Sequence, residues 1–274
     1  MSVKDVIIGY PESIGDRPQG DKMNDDKRFA VLIDADNVSD KYIKHILDEM
    51  SNYGIITYKR IYGDWTKPTL GPWKNVLLDN SITPIQQYSY TTGKNATDSA
   101  MIIDAMDILY SGNVEGFCIV SSDSDFTRLA SRLRESGMYV VGMGEKKTPS
   151  AFVSACNMFK YLEILTQSVN AGEPITAVNK TNADKKELAD DAPIPQIDLI
   201  NAITSIINDT SDEDGWCSLG QVGNILTKRF PDFDVRNYGF NKLTKLVRSL
   251  QKFEIKSEKK NNQRQIYIRI NGKE

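Results

Sequence analysis

Short apolar runs alternate with amphipathic stretches from Phe29 onward, and no other feature of the chain limits its fold so tightly. Residues 29–33, 54–61, 82–86, 117–120 and 139–143 are apolar enough to be strands buried on both faces. Residues 41–50, 72–78, 98–110, 126–136 and 150–157 carry helical spacing between them, and a closing apolar run at 161–165 reads as a sixth strand. Parallel strands need crossover connections, so repeated strand–helix alternation predicts an α/β fold with a mostly parallel sheet and helices on both faces. Ligands of such sheets bind beyond the carboxyl ends of the strands.

A second unit follows. Residues 167–193 lack periodicity and read as a linker, as residues 1–27 read as a flexible arm, so the first unit spans 28–166. Three amphipathic segments, 197–207, 218–229 and 241–250, precede two strand-like runs at 253–257 and 265–270, a winged-helix pattern over 194–272. From Lys228 onward there are 13 basic and 5 acidic residues, a balance of 13 − 5 = +8 in a chain whose net charge is −3. This points to a polyanionic partner. Arg236, Lys242, Lys245, Arg248 and Lys252 lie at or along the third helix and are the expected phosphate contacts.

Several chemistries fall away. The single histidine, His45, sits in the first predicted helix far from other reactive groups, which disfavours histidine triads and histidine metal sites. The three cysteines are widely spaced and form no zinc-binding pair, consistent with a reducing cytoplasm. No run is long and apolar enough for a membrane span. Gly142 and Gly144 resemble part of a nucleotide loop but follow a late strand and lack the remaining glycine.

The acidic residues are placed more tellingly. Asp34 and Asp36 follow the first strand, Asp123 and Asp125 follow the fourth, and Asp98 opens the helix after the third. One sheet edge should therefore gather Asp34, Asp98, Asp123 and Asp125. Carboxylates that close repel one another, and a Mg²⁺ or Mn²⁺ ion would relieve the repulsion while neutralising charge on a phosphate. Taken singly, Asp36, Asp98 and Asp125 are also good helix caps. Lys94 and Asn95 are placed to hold a phosphate or to form a turn. Arg60 and Trp65 could clasp a single strand or pack onto the domain. Asp104 and Asp107 are expected at the surface.

Val31 to Asn37, Lys94 to Asp98 and Ser121 to Phe126 together resemble the NYN domain of the PIN-like superfamily, which includes LabA-like proteins. The resemblance implies a PIN-like three-layer fold and Mg²⁺- or Mn²⁺-dependent RNA cleavage in active members. It makes Asp34, Asp98 and Asp123 the metal ligands, with Asp125 and Asn37 assisting. Gly215-Trp216, Leu219 to Gly223, Pro231 to Asp234 and Tyr238 to Leu243 resemble the OST-HTH (LOTUS) domain, which implies binding of RNA or a protein partner. Trp216 and Phe233 are expected to anchor its core. The expected function is a metal-dependent endoribonuclease acting on single-stranded RNA. The alternative is a non-catalytic RNA-binding regulator or assembly protein, and oligomerisation is left open. A haloacid-dehalogenase-like phosphatase fits poorly, because Asn37-Val38 replace the small hydroxyl pattern its nucleophile motif needs.

Overall fold

The computed structural model describes residues 26–88, 96–167, 194–260 and 263–272 of the 274-residue chain. Nearly all of the expected arm and linker, together with Lys94 and Asn95, lie outside the described residues. The strands of the first unit are β1 (Arg28–Asp34), β2 (Ile55–Gly63), β3 (Thr83–Gln86), β4 (Gly116–Val120), β5 (Tyr139–Gly144) and β6 (Met158–Tyr161). They form one sheet in the order β3-β2-β1-β4-β5-β6, every pair parallel. Strand order reverses between β1 and β4, which puts a crevice beyond their carboxyl ends.

The helices are α1 (Ile43–Met50), α2 (Trp73–Asn80), α3 (Ala96–Ser111), α4 (Thr127–Glu135), α5 (Ser150–Ala155) and α6 (Leu162–Gln167). Side chains alternate across the sheet. Ala30 and Leu32 of β1 join the core under α3, α4 and α5, while Phe29, Val31 and Ile33 join the core under α1, α2 and α6. The unit is thus a three-layer α/β/α fold of the PIN-like kind.

One expected element differs. Only Tyr161 of the run 161–165 is in a strand, and the remainder is α6. Leu162 and Leu165 pack together into one core and Ile164 into the other, a three-residue repeat that suits a helical turn. Short apolar runs do not distinguish the two periodicities.

Gly142 allows close packing rather than nucleotide binding. A Cβ there would lie 2.5 Å from the Phe159 ring and 2.6 Å from Cys156 Sγ. Gly142→Ala is expected to destabilise the protein by about 1–3 kcal/mol through overpacking, read as a lower denaturation midpoint in urea.

The C-terminal unit contains α7 (Gln196–Thr210), β7 (Cys217–Ser218), α8 (Leu219–Arg229), α9 (Leu243–Ser249), β8 (Phe253–Lys260) and β9 (Gln263–Ile270). The sheet runs β7-β9-β8 and is antiparallel. Its core contains Leu199, Ile203, Val222, Leu226, Phe233, Leu246, Val247 and Ile268. Phe233 anchors that core as expected, whereas Trp216 is only half-buried and stands outside it.

The two units meet along β6. The Phe159 amide donates to the Pro231 carbonyl at 2.7 Å, so the outer edge of the strand is capped by the second unit. The Tyr161 hydroxyl donates to Asp232 Oδ2 at 3.1 Å. Lys160 Nζ donates to Asp234 Oδ2 at 2.6 Å and lies 3.9 Å from Glu49 of α1. Arg236 reaches both Asp234, at 2.7 Å, and Glu49, at 3.2 Å.

Candidate active site

Asp34 ends β1 beside Ser121, because Ile33 is in register with Val120 of the neighbouring β4. It is fully buried and acts as a three-fold acceptor. Its Oδ1 accepts from the Asp36 amide at 3.0 Å, and its Oδ2 accepts from Asn37 Nδ2 at 2.8 Å and Ser121 Oγ at 2.7 Å. Burial pushes the Asp34 carboxyl above its ordinary range, and the bonds from Ser121 and Asn37 partly oppose this. Ser121 Oγ in turn accepts from the Asp123 amide at 3.0 Å, and Asp123 Oδ1 accepts from the Asp125 amide at 2.9 Å. A hydrogen-bonded chain therefore joins the ends of β1 and β4 and fixes the loop that carries both acids.

Asp98 enters from the first turn of α3. Asp98, Asp123 and Asp125 each offer a carboxylate oxygen, and the three oxygens lie within 4.8 Å of one another. This all-oxygen set without histidine or cysteine fits a hard cation such as Mg²⁺ or Mn²⁺. Asp34, the fourth expected acid, lies outside the set drawn by that 4.8 Å spacing; its oxygens accept from Asp36, Asn37 and Ser121, and its charge acts on Asp98 ahead of those of Asp123 and Asp125. Burial first, then the charges of Asp34, Asp123, Asp125 and Asp36, raise the Asp98 carboxyl to about 6. Asp36 is held apart, accepting from Thr97 Oγ1 at 3.1 Å and from Lys67 Nζ at 3.3 Å.

The raised Asp98 carboxyl fixes the sign of a pH effect. The folded protein binds a proton there that the unfolded chain has already released, so stability falls as pH rises from the ordinary carboxylate range through about 6. Without divalent metal, Asp98→Asn should therefore raise Tm by about 2–4 °C at pH 7.5. This corresponds to roughly 1 kcal/mol after discounting for solvent screening. The gain should vanish at pH 3.5, and differential scanning calorimetry at both pH values checks it.

Asn37 supports Asp34 directly. Arg60 is paired with Asp104 of α3, and the Tyr62 hydroxyl donates to the same carboxylate. Asp104 is thus an inward tie between β2 and α3, not the surface residue expected. Apolar residues occur all round α3, with Ile103 and Tyr110 exposed although Met101, Ala105 and Ile108 are buried, so the sequence marks no clear solvent face. Trp65 packs partly into the core, its Nε1 donating to the Ile85 carbonyl at 3.0 Å. In the second unit Lys242, Lys245, Arg248 and Lys252 are exposed, whereas Arg236 is half-buried in the contact with Glu49 and Asp234. Sequence reasoning missed Ser121 as a structural link. The signal was its position at the end of β4, level with Asp34.

Residues 28–163 match the NYN domain family, and residues 194–265 match the OST-HTH/LOTUS domain family. The chain carries an NYN domain followed by an OST-HTH/LOTUS domain. All the acids of the cluster lie inside the NYN match. Among solved structures, a crystal structure of a protein of unknown function from Vibrio parahaemolyticus is 16% identical. It covers 50% of this chain and 94% of its own, with a TM-score of 0.43. A solution NMR structure of a segment of a Chromobacterium violaceum protein is 29% identical, covering 28% of this chain and 83% of its own, with a TM-score of 0.24. No curated protein matches the chain. Among the described residues, no helix is long and apolar enough to cross a membrane.

Proposed function

We propose that this protein is a divalent-metal-dependent endoribonuclease whose OST-HTH/LOTUS domain recruits single-stranded RNA. The observation that carries this reading is the approach of Asp98, Asp123 and Asp125 to within 4.8 Å at the strand-order crevice of an NYN domain. A Mg²⁺ or Mn²⁺ ion held by these three would supply positive charge against the phosphate and a place to orient water. Asp34 and Ser121 act through Asp123: the buried carboxylate holds the hydroxyl, the hydroxyl accepts the Asp123 amide, and the acidic loop is thereby preorganised. Lys242, Lys245, Arg248 and Lys252 offer exposed positive charge for the RNA backbone. The three described cysteines are free and buried, in keeping with a cytoplasmic setting.

The test is cleavage of labelled single-stranded RNA by purified protein with Mn²⁺ and with chelator, beside an Asp34→Asn/Asp123→Asn variant. Metal-dependent cleavage by the parent protein alone supports a nuclease. Equal cleavage by both proteins, or by neither, favours the non-catalytic regulator.

A further inference from the structure

The outer face of the small antiparallel sheet carries a cluster that no part of the nuclease site uses. Register determines its membership. Cys217 pairs with Ile268 and Ser218 with Tyr267, so Trp216 falls opposite Arg269. On the other side of β9, Lys256 pairs with Tyr267 and Glu254 with Arg269. Cys217, Ile255 and Ile268 turn inward to the core, which leaves Trp216, Lys256, Tyr267 and Arg269 on the opposite face. Gly215 turns the chain at a φ of +78°, a left-handed conformation that favours glycine, just before Trp216.

The four side chains touch. Lys256 Nζ lies 4.4 Å from the centre of the Trp216 ring and 5.5 Å from that of Tyr267, and the Arg269 guanidinium lies 4.8 Å from Trp216. Each cation also has an acidic neighbour. Lys256 is 3.0 Å from Glu258, and Arg269 is 2.6 Å from Glu254. All four members of these pairs are partly solvated, with side-chain exposures of 38% and 51% in the first and 31% and 44% in the second. Such surface pairs contribute little, and a phosphate can replace the carboxylate. The cations also hold the aromatic rings in place before any ligand arrives.

Two indole-sized or phenol-sized rings flanked by cations, on a sheet face within a segment of +8 charge, form a surface for stacked bases and their phosphates. Arg236 cannot serve the same purpose, because Asp234 and Glu49 hold it at the domain contact. We infer that Trp216, Lys256, Tyr267 and Arg269 form a stacking platform for single-stranded RNA on the β7-β9-β8 sheet. This deepens the RNA-recruiting reading proposed above and relocates its specific contacts from α9 to the wing, the β7-β9-β8 sheet. The exposed cations in and beside α9, Lys242, Lys245, Arg248 and Lys252, would then add general backbone attraction.

Binding of fluorescein-labelled oligouridine to the full chain, followed by anisotropy in EDTA so that no cleavage intervenes, tests the platform. Trp216→Ala should weaken binding about 10- to 100-fold. Trp216→Phe should recover most of the loss, and RNA should quench tryptophan fluorescence in the parent protein but less in Trp216→Phe. Lys242→Ala/Lys245→Ala/Arg248→Ala should weaken binding more uniformly and flatten its salt dependence. Should Trp216→Ala fail to fold, Lys256→Ala/Tyr267→Ala provides the same comparison, with circular dichroism confirming its fold. Unchanged affinity in the folded wing variants, or no RNA binding by the parent, overturns the platform. RNA binding that depends on Trp216 without metal-dependent cleavage supports the platform and removes only the nuclease reading.

Discussion

Asp123→Asn is expected to lower Mn²⁺-dependent RNA cleavage by roughly 10²- to 10³-fold, while Asp36→Asn stays within about threefold of the parent protein. The contrast follows from geometry, since both residues are acids at the same sheet edge. Asp123 offers an oxygen to the group formed with Asp98 and Asp125. Asp36 is outside that group and accepts from Thr97 and Lys67. Removing the Asp123 charge weakens the hold on a dication, and Mn²⁺ affinity measured by titration calorimetry should fall with activity. Asp98→Asn should show the same loss of cleavage together with the higher Tm at pH 7.5 described above. That combination separates a functional acid from a structural one, because a structural acid loses stability when replaced. If Asp36→Asn and Asp123→Asn prove equally harmful, or if Mn²⁺ binds Asp123→Asn as tightly as the parent, the site has been wrongly located.

The second large effect is expected at the contact between the domains. Asp234→Ala should cost about 3 kcal/mol, the scale for removing one partner from a buried ion pair. Its side chain is 10% exposed, against 11% for Lys160, 13% for Glu49 and 26% for Arg236. Loss of Asp234 leaves two cations facing the single carboxylate of Glu49. Burial alone would raise the Asp234 carboxyl, but hydrogen bonds from Arg236, with the charge and hydrogen bond of Lys160, hold it well below the usual range. A carboxyl lowered in the folded state contributes stability above its unfolded pKa and loses it as pH falls through the folded value. The contact should therefore be intact near neutral pH and weaken under strong acid. Calorimetry of Asp234→Ala should show two separated transitions where the parent protein unfolds in one, and limited proteolysis should cut between the domains sooner. A double-mutant cycle with Lys160→Ala isolates the pair. Melting of Asp234→Ala that coincides with the parent would show that the Phe159–Pro231 and Tyr161–Asp232 bonds hold the domains without it.

A domain contact of this kind changes what the C-terminal unit can present. The segment around Pro231 to Arg236 faces the NYN domain, so the RNA proposed above would be met by α9 or by the β7-β9-β8 sheet. Among the described basic residues after Lys228, Arg236 is thus committed to the domain contact while Lys242, Lys245, Arg248 and Lys252 remain exposed.

The sequence by itself determined the layered α/β architecture, the two-domain plan and the sheet edge where the acids gather. The reason is local: strands buried on both faces leave continuous apolar runs, and parallel connections bring every carboxyl end to one side. Residues directly after β1 and β4, and at the start of α3, therefore had to meet. Only the tertiary structure decided which acids approach one another. It made Asp34 a buried acceptor for Ser121, Asn37 and the Asp36 amide, and it grouped Asp98 with Asp123 and Asp125. It also tied Asp104 to Arg60 and Tyr62, turned Trp216 out of the small core, and joined Arg236 to Glu49 across 187 positions of chain. Periodicity records which face of an element is apolar. It carries no information on which distant side chain will stand opposite, because that depends on packing angles and register that form only when the whole chain has folded.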